Sequence, residues 1–364
     1  MSFKDLELNM GPQHPSTHGV LRLKVKVDNE VIHSIEPVVG YLHRGMEKLW
    51  ESLTYPQIMP LTDRLDYIAA VANNFGYALA VEKLAGIEVP KRAQYIRVIL
   101  AELMRISSHL AWIGFQANDI GAVSVLLYGF EDREDFLDIF EAYAGGRLTI
   151  NAMRIGGVPF DLDAALIARI RAALAGLPHR IREIETLLNE NRIWKHRTQG
   201  VGFLSAAEAV DYGLTGPCLR AAGIPWDMRK DIPYSSYEDF EFDVPTTDRS
   251  DVYGRYLVRM QEIRQSARIV TQALDRLPEG EHIAKVPRVL KIPAGEVFHT
   301  TEAPKGELGF YIKSNGTDKP ERMKMKSPSF INLQSLPLMC RGGIFSDIVG
   351  ILGSLDIVLG EIDK

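Results

Sequence analysis

A chain of 364 residues, 46% apolar and 24% charged, has the make-up of a globular protein with room for one large core or two. Its formal net charge of −5 excludes the broad basic surface of a general nucleic-acid binder, so no nucleic-acid partner is expected. The two cysteines, Cys218 and Cys340, lie far apart with no Cys-x-x-Cys, which argues against a disulfide framework or a thiolate-held metal and fits a reducing compartment.

Met1-Ser2-Phe3-Lys4-Asp5 carries no apolar signal core. No uninterrupted apolar run reaches the ~18 residues of a spanning helix. The nearest, Ile344 to Gly360, contains Asp347 and Asp356. The chain is therefore expected to be soluble by itself and held at any membrane by partners.

In chain order, the first feature is Met10-Gly11-Pro12-Gln13-His14-Pro15-Ser16-Thr17-His18-Gly19. Two histidines sit four apart between glycines, and Pro12 and Pro15 forbid a helix. Leu6-Glu7-Leu8 before it and the alternating Val20 to Val27 after it read as strands. A second extended run covers Val31 to Val39, with Pro37 marking a sheet edge. From Gly45 the period becomes helical. Leu61 to Leu84 shows one apolar face and stops at Gly86 and Pro90. Ala93 to Phe115 is a second helix, on which Arg105 and His109 share a face. A third runs from about Asp132 to Ala144. A fourth opens with Asp161 or Asp163 as cap and contains Pro178, where a kink or break is expected. Residues 199–248 are loop-rich. Ser250 to Leu277 is the last long helix, and 278–330 return to short strands before a short helix near Ser346 to Gly353. The fold class expected is α+β, mainly α: one domain over 1–364, with a helical bundle at 45–277 and β-containing ends at 1–40 and 278–364.

The run Gly11 to Leu23 resembles the start of the 49-kDa-type subunit of respiratory complex I, the proton-translocating NADH:quinone oxidoreductase, within the nickel-iron hydrogenase large-subunit superfamily. The resemblance continues in order through Gly40-Tyr41-Leu42-His43-Arg44-Gly45-Met46-Glu47-Lys48, Asp63-Arg64-Leu65-Asp66-Tyr67, Arg154-Ile155-Gly156-Gly157-Val158, Leu214-Thr215-Gly216-Pro217, Glu302-Ala303-Pro304-Lys305-Gly306-Glu307-Leu308-Gly309 and Leu355 to Asp363. It implies a hydrogenase-like helix bundle. Hydrogenase large subunits hold their metals with two Cys-x-x-Cys motifs. The matching positions here are Asp66, Ala69, Val358 and Glu361, and neither Ala nor Val offers a ligand. No metal site and no hydrogenase activity are expected.

The resemblance implies instead a quinone pocket. In the family the counterparts of His18 and Tyr67 bind the two quinone carbonyl oxygens, and each can donate a proton as those oxygens gain charge. Asp119, by the same resemblance, partners His18, where a carboxylate would raise the imidazole pKa and be freed on reduction. Taken alone, Tyr67 reads as a core ring and Asp119 as a turn residue. Val358 is expected to line the quinone path. His14, Arg44, Glu47, Arg64 and Arg105 are supporting candidates, with Arg64 and Arg105 facing an iron–sulfur cluster in a neighbouring subunit. Arg44 and Glu47 are expected to pair. His109 reads as a core histidine.

Quinone is the expected substrate, ubiquinone or another type. With no nucleotide fingerprint and no cluster cysteines, electrons must arrive from outside. The implied partners are an iron–sulfur small subunit, a 30-kDa-type subunit and a membrane subunit forming the quinone entry path. The implied place is peripheral, on the cytoplasmic face of a bacterial or archaeal cell membrane or its organelle equivalent. Between Leu277 and Ala294 the chain is shorter than in many members. That leaves open a ferredoxin- or deazaflavin-fed relative, alongside a non-catalytic scaffold. A His–Asp hydrolase finds no nucleophile motif.

Overall fold

The computed structural model describes residues 6–364, so the reading of Met1 to Asp5 lies outside it. Among these residues the fold is α+β and mainly α. Three antiparallel strands, β1 (Leu6–Met10), β2 (Arg22–Asp28) and β3 (Val31–Val38), form a first sheet in the order β1-β2-β3. Pro37 sits opposite Leu23 on the edge strand β3, where its missing N–H costs nothing. The helices that matter to the site are α1 (Tyr55–Thr62), α2 (Ala70–Ala85), α3 (Lys91–Asp119), α4 (Val123–Ala144), α5 (Ala164–Asn189) and α6 (Val252–Asp275). A second antiparallel sheet follows, β4 (Gly295–Ala303), β5 (Gly306–Ser314) and β6 (Pro320–Lys326). The chain ends with α7 (Pro328–Leu333), α8 (Asp347–Ser354) and α9 (Leu359–Ile362).

Asp163, not Asp161, caps α5, accepting from the Leu166 N–H at 2.7 Å. Pro178 does not break α5, which runs unbroken from Ala164 to Asn189. Pro178 lies on the exposed side, where water can take the carbonyl that loses its partner. The third expected helix starts earlier, at Val123, and no helix fills the strap between α6 and β4.

Helix α3 is long and apolar enough by composition to span a bilayer, yet 94% of its most apolar stretch is buried within the chain. It is the core helix, packed along α4 and α6. The first sheet turns Met10, Leu21, Leu23, Val25 and Val27 onto a second core with Ile351, Leu355, Ile357 and Leu359 near the chain end. Both ends of the sequence thereby meet beside the end of α3.

Candidate functional site

Four segments converge at that point. The first is the proline-rich turn. Pro15–Thr17 form one 3-10 turn, and His18 closes it with φ of 55°. The Thr17 hydroxyl donates to the carbonyls of Pro12 at 3.1 Å and His14 at 3.0 Å. His14 Nδ1 accepts from the Ser16 N–H at 3.2 Å. A Cβ on Gly11, at φ +80°, would lie 2.2 Å from the Leu21 carbonyl, so glycine is required for the strand to return this closely.

The second segment is the bend between α1 and α2. Asp66 is buried, and its Oδ1 accepts from the N–H groups of Ile68 (3.1 Å) and Ala69 (3.2 Å). The third is the β4–β5 hairpin, Ala303 paired with Gly306 across the tip. A lysine at a hairpin tip is ordinarily solvated. This tip is wedged inward: a Cβ on Gly306, at φ +133°, would lie 2.5 Å from Thr215 Oγ1. Asn332 donates to the Lys305 carbonyl at 3.1 Å. Lys305 is therefore 0% exposed. The fourth is the chain end, where a Cβ on Gly360 would lie 2.5 Å from the Leu65 carbonyl.

Lys305 is the centre. Its Nζ lies 3.1 Å from Asp66 Oδ2, 3.7 Å from Asp356 Oδ1 and 3.5 Å from Ser108 Oγ. Burial works against its charge, but Asp356, Asp66 and Glu361 together hold its pKa above the ordinary lysine value. Asp356, at φ of 55°, is raised by burial despite Lys305 and Arg259.

Asp66, Ala69, Val358 and Glu361, the positions matching the hydrogenase ligands, are drawn together. Ser329 ties two of them, accepting from the Val358 N–H at 3.2 Å and donating its own N–H to Glu361 at 3.0 Å. Val358 is buried on this segment between Asp356 and Glu361. Burial, then Asp66, pushes the Glu361 carboxyl up to about 7, while Ser329 and Lys305 oppose the rise. A carboxyl whose folded pKa exceeds its ordinary value stabilises the fold below that ordinary value, and the contribution fades as pH rises through about 7. Glu361→Gln is expected to flatten the fall of the urea midpoint of the purified chain between about pH 4.5 and 7 and to exceed the native chain above about pH 7. An unchanged slope would contradict this.

His18 and Tyr67 both face this charge. Burial, then Lys305, lowers the His18 pKa. The residue is nevertheless solvent-exposed. Burial, then Asp66, raises the half-buried Tyr67 phenol, and Lys305 pulls the other way. Asp119 ends α3 in the same region. Burial raises it, opposed by the Ser16 hydroxyl and His14. Within this chain Ser16 and His14 act on Asp119, and Lys305 acts on His18.

The supporting candidates divide. Arg64 is exposed and pairs with Asp63 at 2.7 Å, and Arg44 Nη2 donates to the Arg64 carbonyl at 3.4 Å. Glu47 does not pair with Arg44. It holds Arg322 at 3.2 Å and accepts from the Met325 N–H at 3.1 Å, so it anchors β6. Arg105 is buried against Glu102 at 3.3 Å, which removes it from any subunit surface. His43 lies 3.3 Å from the Asp363 carbonyl. His109 is a core residue, as expected, 2.9 Å from Glu262.

Sequence reasoning missed Lys305, Asp356 and Arg259. The available signal was Pro304-Lys305-Gly306: a two-residue hairpin tip inside the family-like run, with a charge that has nowhere to go if the tip is buried.

Residues 119–364 match the family model described as the 49 Kd subunit of the respiratory-chain NADH dehydrogenase. A D-type subunit of the NADH-quinone oxidoreductase of Solibacter usitatus is 52% identical over 360 residues, covering 99% of this chain and 97% of its own. The D-type subunit of the same enzyme in Dehalococcoides mccartyi is 52% identical over 358 residues, 98% of each chain. That of Geotalea uraniireducens is 49% identical over 384 aligned positions, covering 99% and 98%. This last span exceeds the 364 residues here, so that relative is the longer chain.

Proposed function

The chain belongs to the 49-kDa subunit family of the respiratory-chain NADH dehydrogenase, and from that premise we propose that it forms the headgroup site at which quinone is reduced. It is a subunit of an NADH:quinone oxidoreductase and not a hydrogenase. The observation that carries the proposal is the buried Lys305 ammonium acting on both His18 and Tyr67.

Reduction of a quinone adds two electrons and two protons, and negative charge grows on both carbonyl oxygens. Tyr67, its pKa raised, stays a phenol at neutral pH and donates to one oxygen. His18, its pKa lowered, is a neutral imidazole whose N–H donates to the other. Lys305, itself fully buried, supplies fixed positive potential where the charge develops. As the oxygen beside His18 becomes negative, it offsets the push of Lys305 and raises the imidazole pKa, so exposed His18 can take a proton from water at its free ring nitrogen and pass its N–H proton to that oxygen. Asp119, through Ser16 and His14, positions the turn that carries His18. Val358 lines the apolar approach.

In this reading the iron–sulfur small subunit supplies the electrons, with exposed Arg44 and Arg64 facing it. A 30-kDa-type subunit and a membrane subunit complete the surroundings, and the chain lies peripherally on the cytoplasmic face of the membrane.

The test is quinone turnover by the assembled complex carrying Tyr67→Phe, in preparations matched for subunit content. Turnover is expected to fall tenfold or more, about 1.4 kcal/mol of barrier per decade, while reduction of an artificial acceptor that bypasses the recess survives. Native turnover in that variant would refute the site.

A further inference from the structure

The seam between α3 and α6 is polar where a helix–helix core is ordinarily apolar. From α3 it takes Glu102, Arg105, His109, Trp112 and Gln116, which recur at steps of three and four on one face. From α6 it takes Arg259, Glu262 and Ser266. Most of its charges meet a counter-charge at close range. Glu102 lies 3.0 Å from Arg229 and 3.3 Å from Arg105, and Glu262 lies 2.8 Å from Arg220 and 2.9 Å from His109.

Arg259 is the exception. It is 0% exposed, and its one ion pair among the described residues is with Asp356, Nε to Oδ2 at 3.9 Å. The pair has no hydrogen bond in it: Arg259 Nε, Arg259 Nη2 and Asp356 Oδ2 are buried without a hydrogen-bond partner. Unfilled N–H groups on a buried guanidinium are costly and call for a reason. Arg255, one turn earlier on α6, shows the ordinary solution. Its fork is filled by Ser354 Oγ at 2.8 Å and by the carbonyls of Gly202 at 2.9 Å and Ser250 at 3.1 Å.

The surroundings hold Arg259 in place. Its guanidinium lies over Trp112, 4.3 Å from the ring centroid, and Nη1 donates to the Arg255 carbonyl at 3.2 Å. Trp112 Nε1 donates to the Gly353 carbonyl at 2.8 Å, and Gln116 to that of Gly350 at 2.9 Å. The Gly353 carbonyl also accepts from the Asp356 N–H at 3.1 Å. One carbonyl thus joins the ring under Arg259 to the backbone of Asp356, so the spacing of the two charges is set by α3 and the end of α8. Asp356 turns its other oxygen, Oδ1, to Lys305 at 3.7 Å, and Lys305 meets Asp66 at 3.1 Å. One carboxylate is therefore shared, at nearly equal distances, between two buried cations. Of the two, Lys305 is the one that acts on His18 and Tyr67.

We propose that Arg259 is a positioning residue for quinone reduction: by drawing on one oxygen of Asp356 it keeps that carboxylate from neutralising Lys305, whose charge is left to face the recess. The proposal rests on the quinone reading of the recess. Its effect is a difference of charge. Without Arg259 the set around Lys305 is more negative by one charge, and Asp356 turns wholly to Lys305. Quinone binds as a neutral molecule and gains negative charge only as it is reduced, so this change weighs on the transition state and not on binding. Removing the charge of Asp356 as well returns the set to its native total.

The test is steady-state turnover of NADH with decylubiquinone by the assembled complex, matched for subunit content. Arg259→Gln is expected to lower kcat tenfold or more and to leave KM within twofold. Arg259→Lys, which keeps the charge but not the planar fork, is expected to fall between that variant and the native complex. Arg259→Gln combined with Asp356→Asn is expected to be at least threefold faster than Arg259→Gln alone. An arginine that only packs predicts the reverse, since a second substitution then adds to the damage. A kcat within threefold of native in Arg259→Gln, a KM that moves as far as kcat, or a double variant no faster than the single one overturns the proposal. If Arg259→Gln does not assemble, the double variant decides: it is expected to assemble with native KM, and its failure to assemble overturns the proposal. The recess reading is judged separately, on Tyr67→Phe. Native turnover there removes that reading whatever Arg259 does, while a loss there beside native kinetics in Arg259→Gln removes the present proposal alone.

Discussion

Lys305→Met is expected to remove about 3–5 kcal/mol of folding stability, as for other buried ion pairs that lose one partner. Lys305 is 0% exposed, and its ammonium faces Asp66 at 3.1 Å and Asp356 at 3.7 Å. A methionine fills similar volume, so the loss is one of charge and not of packing. Two buried carboxylates remain, with Arg259 reaching only Asp356, at 3.9 Å. They relieve themselves by taking up protons, which raises their folded pKa values. A raised carboxyl stabilises at low pH and loses its contribution as pH rises. The variant is therefore expected to be least stable relative to the native chain near pH 8 and to recover part of the difference near pH 5. Urea midpoints of the purified chains at both pH values, with Asp66→Asn added to Lys305→Met as a double-mutant cycle, measure this. A loss under about 1 kcal/mol at pH 8 would mean that the ammonium is not the partner of these carboxylates.

How much of this site was legible depends on how far apart its parts lie in the chain. The turn from Gly11 to Gly19 was visible because prolines and glycines constrain the backbone locally, wherever the turn is docked. The helices were visible through their apolar period. Helix α4 started earlier than expected because its first turns carry exposed Val123 and Leu127 and Ala122 stands where a capping side chain would, so neither a one-sided pattern nor a cap marked the start. Helix α3 looked amphipathic, yet the structure buries its charged residues as well. Arg97 finds Glu82, Arg105 finds Glu102, and His109 finds Glu262. Those partners come mostly from other elements, and a single sequence holds no record of them. Lys305 was illegible for the same reason. Its burial depends on Thr215 and Asn332, and its charge on Asp66 and Asp356, all distant in sequence. A 3-10 turn separates His14 from His18, and the spacing of the two histidines does not by itself say which groups of that turn act on Asp119.

Arg220→Leu is expected to be the most damaging single change, at or above the upper end of the same range of about 3–5 kcal/mol, because one guanidinium serves several carboxylates. Its fork meets Glu262 and Glu302 at 2.8 Å, Asp227 at 3.6 Å and the Trp226 carbonyl at 2.8 Å, and it is 0% exposed. Removing it leaves Glu262 and Glu302 without their nearest cation and Asp227 with Arg229 alone. Arg220→Lys is expected to rescue little, since an ammonium is a point charge that cannot span partners set on different sides of a planar fork. Arg147 provides the control. It too meets three carboxylates, Glu134, Asp138 at 2.8 Å and Glu141 at 2.9 Å, but on the surface. There water and salt screen the pairs, so Arg147→Leu is expected to leave the urea midpoint nearly unchanged. Subunit content of the complex and urea midpoints of the purified chains, compared across the three variants, decide the matter. Similar losses at Arg147 and Arg220 would show that the number of partners sets the cost; a large loss at Arg220 alone shows that burial does, and that the α3–α6 seam is held together by its charge balance.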